Sequence, residues 1–526
     1  MSWIVHESDL DSVEQSYPSC ATVPTFHVSD LSSAQFRTRF MQKNLPVMIT
    51  GLTNDWRSTK EWVKHDGTCD MDKMSELFGE TKVLVVNCDD TMDTDLKRTE
   101  MRFAEFAKYW KERNSKKRKA VDDASADDKK LYVKDWNFVN DFPFYGAYTT
   151  PEHVKDDWLN GGEESDEDEF VVDGMNDEEK ESDCESDEDE SDDSPLLKTP
   201  GSYKFVYCGV AGTYTPMHVD VARSYSWSVN ICGHKQWILV PPGDAKLLKH
   251  ADGSGRLCPN LIPLIDSNDS NVQSALDSNY PDAHRIKPVV VEQPPGALLF
   301  VPSCWAHQVR NVSDCVSINH NWFNANSFHT SKFYLRNEMR LIRNGLADFD
   351  DRGDGVLCQS LLLRKCGINQ LQLAMIGAYN LKRTVRRMKR MKKTLNFFER
   401  KHKRSLTFLE KETELSLCRE FRDGLSRDFN RAWQAVDSLL RETATIHDDV
   451  EEDTDDKGNF KYDDNFAAVY EVSPWDENPD DLELLEAADE KGRDAFDEDA
   501  GIVHDIVFYH RELELEEMNP KHVRTW

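Results

Sequence analysis

Between residues 202 and 324 the chain alternates short apolar runs with turn residues, the pattern of buried strands rather than of helices. Pro294-Pro295-Gly296 precedes the apolar run 297–301, which ends in a Pro-Ser-Cys-Trp turn, so a buried strand is bounded on both sides. The apolar residues 237–240, closed by Pro241-Pro242, read the same way. Ahead of this core, Ser29 and Asp30 can cap a helix running to the residues before Leu45-Pro46. Strands are expected at 46–50, with Gly51 at the turn, at 82–87 and again from Leu131. Residues 101–113 space Phe and Trp at helical intervals, and Trp56 and Trp62 are candidates to pack beneath the core. After Asn324 the period turns helical and stays so to about residue 447, around Leu409, Leu415, Phe421, Phe429, Trp433 and Leu439.

Breaks in this pattern set the organisation. Residues 1–160 form a helix and strand prelude, 161–200 an acidic insertion, and 201–330 the core. A helical extension with a basic segment follows at 331–447, then an acidic region of unassigned role at 448–526. The insertion has almost no apolar content, so it cannot offset its ordering entropy and is expected to be disordered. Residues 253–284, rich in Asn, Asp and Ser, read as a long loop of the kind that shapes a substrate entrance. A second polar interruption, 115–130, carries the KKRK run 116–119, read either as a nuclear-import cluster or as solvated loop charge.

With 526 residues, 39% of them apolar, there is material for a sizeable core. The net charge of -32 disfavours non-specific nucleic-acid binding and suits a basic partner, although much of it lies in the acidic tracts. The basic stretch 383–404 runs against that trend: a helix for RNA or a partner, an import signal, or a helix neutralised by the acidic tail. Twelve cysteines include no CxxC pair, and Cys208, Cys232, Cys304 and Cys315 read as buried free thiols. The amino terminus lacks a positive region followed by an apolar run, and no stretch reaches membrane-spanning length. The expected location is therefore cytoplasmic, with the nucleus added if KKRK serves import.

Chemistry concentrates in TPMHVDVARSYSWSVNICGHKQW, residues 215–237. His218 and Asp220 stand two apart, so on a strand both point to one face and can reach one metal. His307 follows the second buried strand. Two imidazoles and a carboxylate make the facial triad of non-haem Fe(II), which leaves positions open for a co-substrate and dioxygen. Lys235 opens a buried apolar strand, costly unless an anion pairs with it or the chain snorkels out at the sheet edge. The distal carboxylate of 2-oxoglutarate is the natural anion, and Thr215 is placed to add a hydroxyl.

With these motifs in order, residues 30–324 resemble the jumonji-C family of Fe(II)/2-oxoglutarate oxygenases. FVYCGVAGTYTPMHVDVARSYSWSVNICGHKQW and HQVRNVSDCVSINHNWFN are most similar to its jumonji-domain-containing protein 4 branch. The resemblance implies a mainly β core, a double-stranded β-helix of the cupin or jelly-roll kind, with a helix-strand prelude and a helical extension. It implies His218, Asp220 and His307 as iron ligands and Lys235, helped by Thr215, as anchor for 2-oxoglutarate. Asn319 and Asn321 fall where relatives place polar residues around co-substrate or iron; for Asn321 a strand-end amide bonded to backbone is the other reading. Ser228 stands where several relatives carry Asn. The implied activity is hydroxylation of a lysine in the translation-termination factor, consuming O2, releasing succinate and CO2, and sustained in vitro by ascorbate. Demethylation of N-methyl-lysine, as on histones, and a non-catalytic scaffold are the competing readings. Oligomeric state is not legible.

Overall fold

The computed structural model describes residues 22–92, 95–119, 129–161, 203–252, 256–262, 279–346 and 355–381, besides a few isolated positions. The described residues up to Phe323 belong to one compact unit and those from Asn324 to another.

In the first unit, thirteen strands are described: β1 Thr25–His27, β2 Val47–Thr50, β3 Lys82–Met92, β4 Asp95–Arg102, β5 Leu131–Trp136, β6 Lys204–Gly209, β7 Tyr214–His218, β8 Tyr225–Cys232, β9 Lys235–Val240, β10 Val289–Gln293, β11 Leu298–Val301, β12 Ala306–Asn311 and β13 Cys315–Trp322. Nine of them make one sheet in the order β1-β2-β11-β8-β13-β6-β5-β3-β4, and four make a second, β10-β9-β12-β7. From β6 onward the chain crosses between the sheets, so the central strands β11-β8-β13-β6 oppose β10-β9-β12-β7. That winding is the double-stranded β-helix of a cupin-like barrel.

Why the barrel closes in this way follows from side-chain alternation. On β8, Tyr225, Trp227, Val229 and Ile231 join the large core beneath the first sheet, as do Val316, Ile318 and Trp322 of β13. The alternate positions Ser226, Ser228, Ser317, Asn319 and Asn321 therefore face the other way, into the barrel. One end of the interior is apolar, where Leu299 and Val301 meet Trp237, Leu239 and Val291. Gly233 makes the corner between β8 and β9 at φ 77°, and a Cβ there would stand 2.1 Å from Asp314 O. Only glycine fits.

The prelude supplies the packing against the outer face. Trp62 is buried and meets Phe138 edge-on at 5.2 Å, while Phe78 lies 4.9 Å from the same ring. Each such ring hides roughly 150–250 Å², about 4–6 kcal/mol before entropy is charged. Trp56 is buried in the same core, in keeping with its reading as a residue packed beneath the barrel.

Several boundaries differ from the sequence reading. The first helix, Ser33–Phe36, is capped by Ser32 rather than Ser29 or Asp30, because Ser32 and Gln35 close a reciprocal capping box. It continues as a π-turn, Arg37–Met41. Residues 101 and 102 end β4, a strand with too polar a sequence to be recognised, and the helix is Phe103–Lys119. KKRK 116–119 thus lies on the last turn of a helix, not in a loop. The acidic insertion beyond Gly161, residues 253–255 and 263–278 of the long loop, nearly all of 383–447 and all of 448–526 lie outside the described residues.

The second unit contains the helices Phe328–Gly345, Gly355–Cys366 and 370–381. Leu335, Leu362, Leu373 and Leu381 are buried in it, and Lys365 pairs with Glu338 at 2.5 Å. Among the described residues no helix is long and apolar enough to cross a membrane.

Candidate metal centre and its pocket

His218 ends β7 and His307 is the second residue of β12, and the antiparallel register sets the two directly opposite each other. Asp220 follows in extended backbone just before the 3-10 turn Val221–Arg223. Asp220 Oδ1 stands 3.9 Å from His218 Nε2 and 3.8 Å from His307 Nε2. Among the described residues, this is the one group of three or more such side chains with donor atoms converging as metal ligands do.

Each ligand is held from behind. His218 Nδ1 donates to Pro216 O at 2.8 Å, and His307 Nδ1 donates to Trp305 O at 3.0 Å. That fixes the tautomer and turns both Nε2 lone pairs toward the gap. Ser226 donates to Asp220 Oδ2 at 2.7 Å, leaving Oδ1 for a metal. Asn321 also bonds Asp220, and its Nδ2 donates to Ser224 Oγ at 3.2 Å.

Electrostatics keep His218 and Asp220 in the form that binds a cation. Although 40% of the His218 side chain is exposed, its Nδ1 is bonded to Pro216 O and its Nε2 faces Asp220. Burial first, then the neighbouring His307, pushes its imidazole down to about 4 against the opposing pull of Asp220. Burial works to raise the Asp220 carboxyl, but the two imidazoles with Ser226 and Asn321 outweigh it and hold it below the usual aspartate value. Near neutral pH His218 is a free base and Asp220 is charged. This donor set suits a divalent cation such as Fe(II).

Lys235 does not snorkel: it is 2% exposed. Its Nζ donates to Ser317 Oγ at 2.6 Å, bridging β9 and β13 across the barrel. Ser317 passes the bond to Asn319 Oδ1 at 2.9 Å, which also accepts from Ser228 at 3.3 Å. The Tyr207 ring lies 5.7 Å from the ammonium. Burial lowers the Lys235 pKa, and among the described residues no carboxylate pairs with its ammonium. A buried ammonium surrounded by neutral polar side chains suits an anion.

Of the seven residues singled out from the sequence, His218, Asp220 and His307 converge, Asn321 reaches Asp220, Lys235 and Asn319 are joined through Ser317, and Thr215 lies apart from these contacts. The Asn321 side chain bonds Asp220 and Ser224. Asn319 orders the serines around Lys235. Thr215 bonds the phenol of Tyr132, a buried residue the sequence did not flag. Ser317, Ser226 and Ser224 were missed too. A signal existed: Ser317, Asn319 and Asn321 are alternate polar positions between Val316, Ile318 and Trp322, although His320 interrupts the alternation.

This fold and site define an oxygenase-type cupin, and the comparisons agree. The model of the cupin-like domain matches residues 33–328. An arginine-specific demethylase, JMJ20, of Arabidopsis thaliana is 33% identical over 65% of this chain and 66% of its own length. The 2-oxoglutarate and iron-dependent oxygenase JMJD4 is 31% identical in Gallus gallus, covering 64% of this chain and 69% of the relative. In Homo sapiens it is 31% identical over 64% and 70%. The chain belongs to the cupin-like JmjC family of 2-oxoglutarate and iron-dependent oxygenases, close to its JMJD4 branch.

Proposed function

We propose that the chain hydroxylates a protein side chain, a lysine of the translation-termination factor. The observation that carries the oxygenase reading is the His218, Asp220 and His307 cluster in the same barrel as Lys235, a buried ammonium with no carboxylate partner among the described residues. Similarity to the JMJD4 branch directs it to the termination factor. In balance, substrate C–H, 2-oxoglutarate and O2 give substrate C–OH, succinate and CO2. Bound ferrous iron supplies the oxidising chemistry, and ascorbate keeps it reduced in an assay. His218, Asp220 and His307 would hold the iron. Lys235, through Ser317, would fix the distal carboxylate of the co-substrate, with Thr215 and Asn319 ordering the surrounding polar wall. On this reading the protein works in the cytoplasm.

A second reading has an observation of its own. The Arabidopsis relative, an arginine-specific demethylase, favours removal of N-methyl groups, from arginine rather than from the lysine that the sequence alone suggested. Both use one site. The difference is whether the hydroxylated carbon stays or leaves as formaldehyde.

Mass spectrometry separates them. The full chain is incubated with Fe(II), ascorbate and 2-oxoglutarate and either the termination factor or methylated arginine and lysine peptides, with His218→Ala as control. One oxygen gained on a lysine of the factor supports hydroxylation. Loss of a methyl group with formaldehyde supports the second reading, and no change in either removes both assignments.

A further inference from the structure

Five non-glycine residues among those described have left-handed backbone: Asn44, Asp135, Ala222, Arg223 and Cys304. Four of them meet at one place. Ala222 and Arg223 form the turn directly after Asp220, Cys304 lies in the turn that delivers His307, and Asn44 reaches that turn from the prelude. Residues rarely adopt this conformation unless their surroundings hold them in it.

The holding contacts form a continuous path. His307 Nδ1 donates to Trp305 O at 3.0 Å, and the indole Nε1 of Trp305 donates to Asn44 O at 2.9 Å. Asn44 Nδ2 donates to Ser303 O at 2.8 Å. Ser303 Oγ donates to Arg223 O at 2.6 Å, and Arg223 N donates to Asp220 O at 3.1 Å. The path starts at one ligand of the metal cluster and ends at another. Its middle members are buried, Asn44 at 2% exposure and Ser303 at 0%. Asn44 comes from the turn before β2, far from either ligand in sequence.

We propose that Asn44 and Ser303 are positioning residues that lock the Asp220 turn to the His307 turn, setting the spacing of the metal ligands before metal binds. This rests on reading His218, Asp220 and His307 as a metal site. The register of β7 and β12 fixes His218 against His307, because both lie on paired strands. Asp220 lies beyond its strand, so no ladder holds its backbone; Ser226 and Asn321 hold the carboxylate, and this path ties down the backbone that carries it. Asn is suited to the task because it tolerates left-handed backbone and offers both an amide donor and a carbonyl acceptor.

The test is metal binding by the full-length apo protein, titrated with Mn(II), with Co(II) absorption reporting ligand geometry. Asn44→Asp keeps shape and backbone preference but removes the donor to Ser303 O. Asn44→Gly keeps the left-handed turn and the Trp305 bond while removing the side chain. Ser303→Ala removes the bond to Arg223. Each is expected to weaken Mn(II) binding about tenfold, the lower end of what outer contacts to metal ligands contribute, and to alter the Co(II) spectrum. The Asn44→Asp/Ser303→Ala double variant should lose little more than either single, since both cut one path. Unchanged affinity and spectrum, with only a lower unfolding temperature, would overturn the proposal and leave the path as ordinary packing. Equal Mn(II) binding by wild type and His218→Ala would remove the metal-site reading itself, and the proposal with it.

Discussion

Asn160 Oδ1 accepts a hydrogen bond from the backbone N–H of Tyr203 at 2.8 Å, although 43 positions separate them. The same side chain donates through Nδ2 to Asp157 Oδ2 at 2.7 Å and to Asn321 O at 2.8 Å. Residues on either side of the acidic insertion are thus pinned to each other and to β13.

Replacing residues 163–200 with a short Gly-Ser linker should therefore leave the unfolding temperature within about 2 °C, because loop-closure entropy varies slowly with loop length. Metal affinity should not change. Calorimetry and a Mn(II) titration check both, and a large loss of either would show that the insertion braces the barrel.

Lys235→Met separates stability from function. It removes a buried ammonium without a carboxylate partner, so the ligand-free protein should melt a few degrees higher, reflecting about 1 kcal/mol. The KM for 2-oxoglutarate should rise at least about thirtyfold, a loss of ~2 kcal/mol or more. Ser317→Ala deletes one neutral partner and should raise KM about fivefold, near 1 kcal/mol. Steady-state kinetics with scanning calorimetry decide; a lower melting temperature for Lys235→Met would mean the ammonium is better satisfied than its contacts indicate.

Mn(II) at a hundred times its dissociation constant should stabilise the wild type by about 2.7 kcal/mol and leave His218→Ala and Asp220→Ala unmoved. The pH dependence follows from His218, which burial and His307 push down to about 4. Its folded pKa is depressed, so the native state holds fewer protons than the unfolded chain between about pH 4 and 6.5. The stability it contributes is present above that window and lost as pH falls through it. Mn(II) affinity should hold from pH 7.5 to about 6 and drop below about 5, since a protonated imidazole cannot ligate. An affinity that halves already between pH 7.5 and 7 would contradict this.

Asp157 shows the opposite sign. Burial pushes its carboxyl up to about 6, despite bonds from Leu159 N, Asn160 N and Asn160 Nδ2. The native state holds the proton more tightly than the unfolded chain, so this contribution is full below about pH 4 and is lost as pH rises through 6, up to ~3 kcal/mol. Asp157→Asn should therefore gain on wild type between pH 4.5 and 7.5 in urea midpoints. Parallel shifts in the two proteins would show that Asp157 does not titrate in that range.

The ligand types and much of the core were readable in the chain because they depend on local period. His218 and Asp220 share a face through spacing alone, and the buried strands announce themselves between Pro and Gly turns. The same period would have exposed Ser317 beside Asn319 and Asn321. What needed the tertiary structure is everything set by register and by long-range contact. His307 opposes His218 only because β12 and β7 pair at that alignment. The polar strand β4 is a strand because β3 pairs with it, against its own composition. Ser317 becomes the partner of Lys235 through closure of two sheets across 82 positions, and Asn44 reaches Ser303 across 259. Side-chain chemistry and alternation are properties of neighbouring residues. Which distant strands and turns meet depends on how the whole barrel closes.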